Sequence, residues 1–119
     1  MEAALFMKTA CVLLAITALG GLAMAGMRFA NRQPPVALAM LHGFLAGAAV
    51  TLLLYAYFTV GLPRLAAWAL LLFLVAAVGG VVLNLKYHWK NVPLPMGLMI
   101  GHAGIAVVGF VLLVVALLA

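Results

Sequence analysis

The sequence predicts an all-α integral membrane protein: a four-helix bundle of up-down topology, built as one transmembrane domain over residues 1–119. Three observations predict it. The composition is 71% hydrophobic and 6% charged, whereas a soluble domain is about one-quarter charged. A chain of 119 residues has no single small core in which to hide so much apolar surface. Four apolar segments follow one another, each near the roughly 20 residues that cross a bilayer as a helix. Finally, the chain repeats itself with a shift of 60 residues, so the segments form two tandem helical hairpins.

The first segment runs over about Ala4–Met27 and is closed by Arg28-Phe-Ala-Asn-Arg-Gln-Pro-Pro35. Ala23-Met-Ala25 resembles a signal-peptide cleavage site, but the start carries only Lys8 in place of a basic cluster, so the segment is read as a retained span. The second segment, Val36–Val60, ends at Gly61-Leu-Pro-Arg64, a break short enough to make it an antiparallel neighbour of the third, Leu65–Leu85. Lys86-Tyr-His-Trp-Lys-Asn-Val-Pro-Leu-Pro95 then leads into the fourth, Met96–Leu118. Pro35 and Pro95 suit helix starts, where a missing N–H costs nothing.

Charge gives orientation and excludes function classes. Arg28, Arg32, Lys86 and Lys90 flank the first and third breaks, against Lys8 and Arg64 on the other side. The excess places loops 28–35 and 86–95 in the cytoplasm and both termini outside, in a bacterial inner membrane. Aromatic residues mark both boundaries: Phe29, Tyr87 and Trp89 on one side, Tyr55, Tyr57, Phe58 and Trp68 on the other. The basic residues flank spans and form no stripe, so they serve topology and lipid contact and not nucleic acid. Glu2 is the only acidic residue, which argues against carboxylate-dependent hydrolysis and acid-based proton pumping. Cys11 stands alone within a span, so no intrachain disulfide forms and it reads as a small buried hydrophobe.

The shift of 60 residues pairs Gly20 with Gly80, Asn31 with Asn91, Pro35 with Pro95, Leu38 with Leu98, His42 with His102 and Ala46 with Ala106. Asn, Pro and His are scarce here, so their matches carry the repeat. Two hairpins that start on the same side are related by a pseudo-two-fold axis along the membrane normal. Each histidine comes seven residues after its proline, about 10 Å into its span at 1.5 Å per residue. An ionisable group at that depth faces the protein interior and marks a functional site. Two imidazoles at one level are what a ligand held between two helices needs, and the natural candidate is a haem b iron, which takes one imidazole from each side. On this reading Gly43 and Gly101, each beside a histidine, make room for a porphyrin, and Arg28, Arg32 and Lys86 meet its carboxylates. His88, in the polar break, reads as an exposed interfacial residue.

The paired histidines in a four-helix layout resemble the cytochrome b561-type membrane cytochromes. That resemblance implies haem held between His42 and His102, with electron transfer as the activity and a quinone as partner. Family members often carry two histidine pairs; here no histidine lies in the first or third segment, so one haem per chain is the limit. With both axial positions filled, the chain is an electron carrier or cytochrome subunit and not an enzyme by itself. Two other readings stay open. One is a non-catalytic accessory subunit of a larger membrane complex, with the histidines as hydrogen-bonded spacers. The other is a small transporter, alone or as a homodimer, with the histidines in its path. Of the other polar groups within spans, Thr51 satisfies itself on a backbone carbonyl and Asn84 lies near the boundary.

Overall fold

The structure, a computed structural model, describes residues 2–119. Among these are four long helices and no strand: α1 (Glu2–Phe29), α2 (Val36–Thr59), α3 (Arg64–Val82, continued by a π-helical turn Leu83–His88) and α4 (Met96–Leu118). Each is long and apolar enough to cross a membrane, with mean hydropathy of 2.0 to 2.5 over its most apolar stretch. The chain is a multi-pass membrane protein, 45 Å long and 19 Å across in each other direction. α1 packs along α2 and α3 along α4, and the two hairpins meet through α1 with α4 and α2 with α3.

The helix ends have local causes. Pro35, Pro63 and Pro95 each sit just before a helix in extended conformation. The carbonyls of all three accept the N–H four residues on, from Ala39, Ala67 and Met99. Asn31 and Asn91 end the first and third helical runs at φ 57° and 55°. Left-handed backbone lets the next N–H reach back, so Arg32 bonds the Met27 carbonyl at 2.8 Å and Val92 that of Tyr87 at 2.9 Å. Asparagine tolerates that conformation better than other residues with a Cβ, which explains its recurrence. The third helical run extends three residues past the expected end at Leu85, through His88.

The repeat is real but not uniform. The buried face of α2, Ala49, Leu53 and Ala56, matches Gly109, Leu113 and Ala116 of α4 at a shift of 60 residues. The buried face of α1, Met7, Ala10, Leu14 and Thr17, matches Ala66, Ala69, Phe73 and Ala76 of α3 at a shift of 59. The structural counterpart of Gly20 is therefore Gly79, not Gly80 as a constant shift implies. The extra residue is taken up in the π turn, where Trp89 N–H reaches the Asn84 carbonyl five residues back at 2.9 Å. A π turn is how a helix absorbs a one-residue insertion without rotating the faces on either side.

Packing differences between the hairpins compensate. Phe73 stands where Leu14 does, and Gly109 where Ala49 does. A Cβ on Gly109 would meet the Phe73 ring at 3.0 Å, so the larger ring needs the smaller neighbour. The buried core falls into two clusters. One, around Leu53, Phe73 and Leu113, fills the half towards the α2–α3 turn. The other, Leu83, Leu94 and Met99, fills the end carrying the longer loops.

The loop end is tied by a reciprocal pair of bonds. Arg28 Nε donates to the Leu94 carbonyl at 2.8 Å, and His88 Nε2 donates to the Pro34 carbonyl at 2.6 Å. Both pairs are related by the 60-residue shift. His88 is thus 4% exposed, which corrects its reading as an exposed interfacial residue: the first loop crosses over it and supplies its acceptor.

Two outcomes follow. Deleting Leu85 from the π turn should leave a regular helix and cost little in thermal unfolding followed by circular dichroism. Deleting Leu74 from regular α3 turns every later residue by about 100° and should abolish cooperative unfolding. Gly109→Ala should destabilise by about 1–3 kcal/mol, and Phe73→Leu in the same chain should recover most of that loss, measured as a double-mutant cycle.

Candidate functional site: the histidine pair

In a membrane span a side chain finds its polar partner inside the protein or goes without. His42 and His102 solve this in the same way. His42 Nδ1 lies 2.8 Å from the Thr17 carbonyl on α1, and His102 Nδ1 lies 2.7 Å from the Ala76 carbonyl on α3. A carbonyl oxygen only accepts, so each Nδ1 carries the proton and donates it. In the neutral imidazole Nε2 then keeps its lone pair. Each hairpin therefore fixes its own histidine by its own first helix, with a sequence separation of 25 in one and 26 in the other. The difference is the same single residue that the π turn absorbs.

Close approach makes these bonds possible. A Cβ on Gly21 would lie 3.0 Å from His42 Cε1, and one on Gly80 would lie 3.1 Å from His102 Cε1. Each imidazole lies against a stretch of helix bare of side chains. Gly20 and Gly79 sit one residue earlier, at ordinary contact distance from the same rings. Gly20-Gly21 and Gly79-Gly80 are the only adjacent glycine pairs in the chain. This doublet, repeated once, was the available signal for the positioning residues, and a reading centred on α2 and α4 misses it.

The two rings face one another across the bundle, with centroids 6.2 Å apart and planes at 67°. Both are partly buried and lie in the break between the two core clusters. Beside His42 a groove of about 320 Å³ runs between α1 and α2, walled by Ile16, Leu19, Gly20, Leu38, Leu41 and Leu45.

The other predicted site residues lie elsewhere. Gly43 and Gly101 are exposed, and a Cβ on either would meet nothing within 4 Å. They border the histidines in sequence but not the ring faces. Arg28 ties the loops together and, with Arg32, lines a second cleft at the loop end. Lys86 is exposed on the π turn. His88 has one ring nitrogen on Pro34 and the other 3.4 Å from the side-chain amide of Asn84, so neither is left free. Thr51 bonds the Gly47 carbonyl at 2.7 Å within its own helix. Among the described residues no group of three or more His, Cys, Asp or Glu side chains is placed to hold a metal ion.

Glycine-to-alanine substitutions separate positioning from propensity. Gly79→Ala should be neutral or stabilising, because alanine is the better helix former by about 1 kcal/mol. Gly80→Ala should instead destabilise by about 1–3 kcal/mol and shift the His102 Nδ1 resonance in nitrogen-15 spectra, as Gly21→Ala should for His42. Compared with known proteins, the chain matches no family model, and neither a curated protein nor a solved structure matches it.

Proposed function

We propose that the protein is a membrane carrier of one haem b that passes electrons, and that His42 and His102 would hold the group. The observation that carries this reading is the state of the imidazoles. A ligating histidine commonly donates its other ring N–H to a backbone carbonyl, which fixes tautomer and orientation. Both histidines are held in that way before any metal arrives. Their spacing fits as well. The ring centroids stand 6.2 Å apart, close enough for the two imidazoles to hold one group between them. The two histidines lie between the two buried core clusters and belong to neither.

When bound, haem with two imidazole ligands supplies one-electron transfer and no open position for oxygen chemistry. The chain's own residues do the rest. Thr17 and Ala76 hold the imidazoles through their carbonyls, Gly21 and Gly80 let the rings approach, and the surrounding apolar side chains exclude water. His88 is fully engaged, so one haem per chain is the capacity. The site lies nearer the loop end; the excess of basic residues there supports a cytoplasmic position for that end, in what we take to be a bacterial inner membrane. A quinone in the bilayer is the proposed redox partner. A second reading, membership of a larger membrane complex or a homodimer, is favoured by Gly43, Gly47, Gly101 and Gly104, which have open space where a Cβ would stand. Small residues bare on an outer face let another helix approach closely, and this reading is compatible with the first.

Visible spectra of the detergent-purified protein, oxidised and then reduced with dithionite, test the proposal. The expected result is a Soret band with sharpened α and β bands on reduction, lost in both His42→Ala and His102→Ala. A colourless wild-type protein expressed with haem precursor, or haem retained in both variants, overturns it.

A further inference from the structure

At the loop end, Arg28, Asn31, Arg32 and Gln33 of the first loop region meet Asn91 and Pro93 of the third around a cleft of about 320 Å³. Its lining shares no residue with the groove at His42. We infer that this cleft is a binding site for the phosphodiester of an anionic phospholipid in the leaflet at that end.

Four observations carry the inference. The first is the donor set: two guanidiniums and three side-chain amides line the cleft, with no carboxylate among them. Guanidinium groups match phosphate oxygens in forked geometry. The second is the lack of an internal counter-ion. The chain has six basic residues and one acidic one, and Glu2 stands at the far end of the 28-residue α1. The third is pre-organisation. Arg28 is anchored through Nε on the Leu94 carbonyl, which leaves its two terminal nitrogens to serve a ligand. The left-handed Asn31 and Asn91 fix the two loop turns that form the rim. The fourth is depth. Phe29 and Trp89, 59% and 54% exposed, stand at the ends of the first and third helical runs, at the same end of the bundle as the cleft, and exposed aromatics belong at headgroup level. Basic pockets at that level take lipid headgroups.

The fold itself does not call for Arg32: the 60-residue shift puts Val92 opposite it with the same backbone bond five residues back, whereas Arg28, like His88 opposite it, holds a carbonyl of the other loop.

Native mass spectrometry of the full chain in neutral detergent tests the site, titrating phosphatidylglycerol against zwitterionic phosphatidylcholine. One phosphatidylglycerol should be retained in preference. The apparent affinity should fall at least about tenfold in Arg28→Gln/Arg32→Gln and less than about threefold in Lys86→Gln/Lys90→Gln, which removes equal charge. Arg32→Gln alone spares the Arg28–Leu94 bond and should lose about fivefold with unchanged thermal unfolding. Retention should persist in His42→Gln/His102→Gln, whose amides keep a donor for the Thr17 and Ala76 carbonyls, which separates this site from the histidine pair. Equal loss in the two double-charge variants, unchanged retention in Arg32→Gln, loss in the histidine variant, or displacement of the lipid by millimolar inorganic phosphate each overturns the inference.

Discussion

Two bonds organise this bundle: the imidazole N–H of each histidine on a backbone carbonyl of the preceding helix. Within a bilayer an unsatisfied polar group is costly, so a histidine on α2 or α4 demands an acceptor from a neighbour. A helix carbonyl is within reach only if the two backbones come close, and Gly21 and Gly80 supply that closeness. The tight pairing of α1 with α2 and of α3 with α4, the facing of the two rings and the freedom of both Nε2 atoms follow from the same requirement. Apolar packing alone would leave the rotation of each helix undetermined, because lipid tails compete equally for every apolar side chain. The histidine bonds choose one rotation.

Much of the fold was legible because hydropathy and punctuation agree. The start of α2 at Val36 and the whole of α4 are found where the prolines put them, and the level of the two histidines follows from counting residues. The pairing of the histidines was legible as an expectation of depth, but their partners were not. Residues adjacent in a helix point about 100° apart, so Gly43 and Gly101, next to the histidines in sequence, turn away from the rings. The glycines that matter sit on other helices. The π turn had no local signature, since Leu83-Asn-Leu-Lys-Tyr-His88 has nothing that forbids an ordinary helix. Only the buried faces on either side reveal the extra residue. His88 was misread because its burial is decided by a loop 54 residues away in sequence, which no local pattern reports.

The structure divides the labour of the basic residues more finely than counting does. All four at the loop end contribute equally to an orientation rule, yet only Arg28 has a structural bond to a distant loop, and only Arg28 and Arg32 share a cleft. Lys86 and Lys90 are exposed on the π turn and just past it. Bracing thus falls on one member of the charged ring and the cleft on two.

The slip from 59 to 60 residues has a consequence for how such a protein is free to change. An unfused hairpin of this design would set its own histidine against that of an identical twin across a true two-fold axis, and every substitution would strike both halves at once. Joined in one chain, the halves are independent. The exchange of Leu14 and Ala49 for Phe73 and Gly109, of Arg28 for His88, and one inserted residue all occur on one side only. The chain keeps a symmetric centre inside an asymmetric shell, so one mouth of the bundle can be fitted to its surroundings while the pair at the middle stays matched.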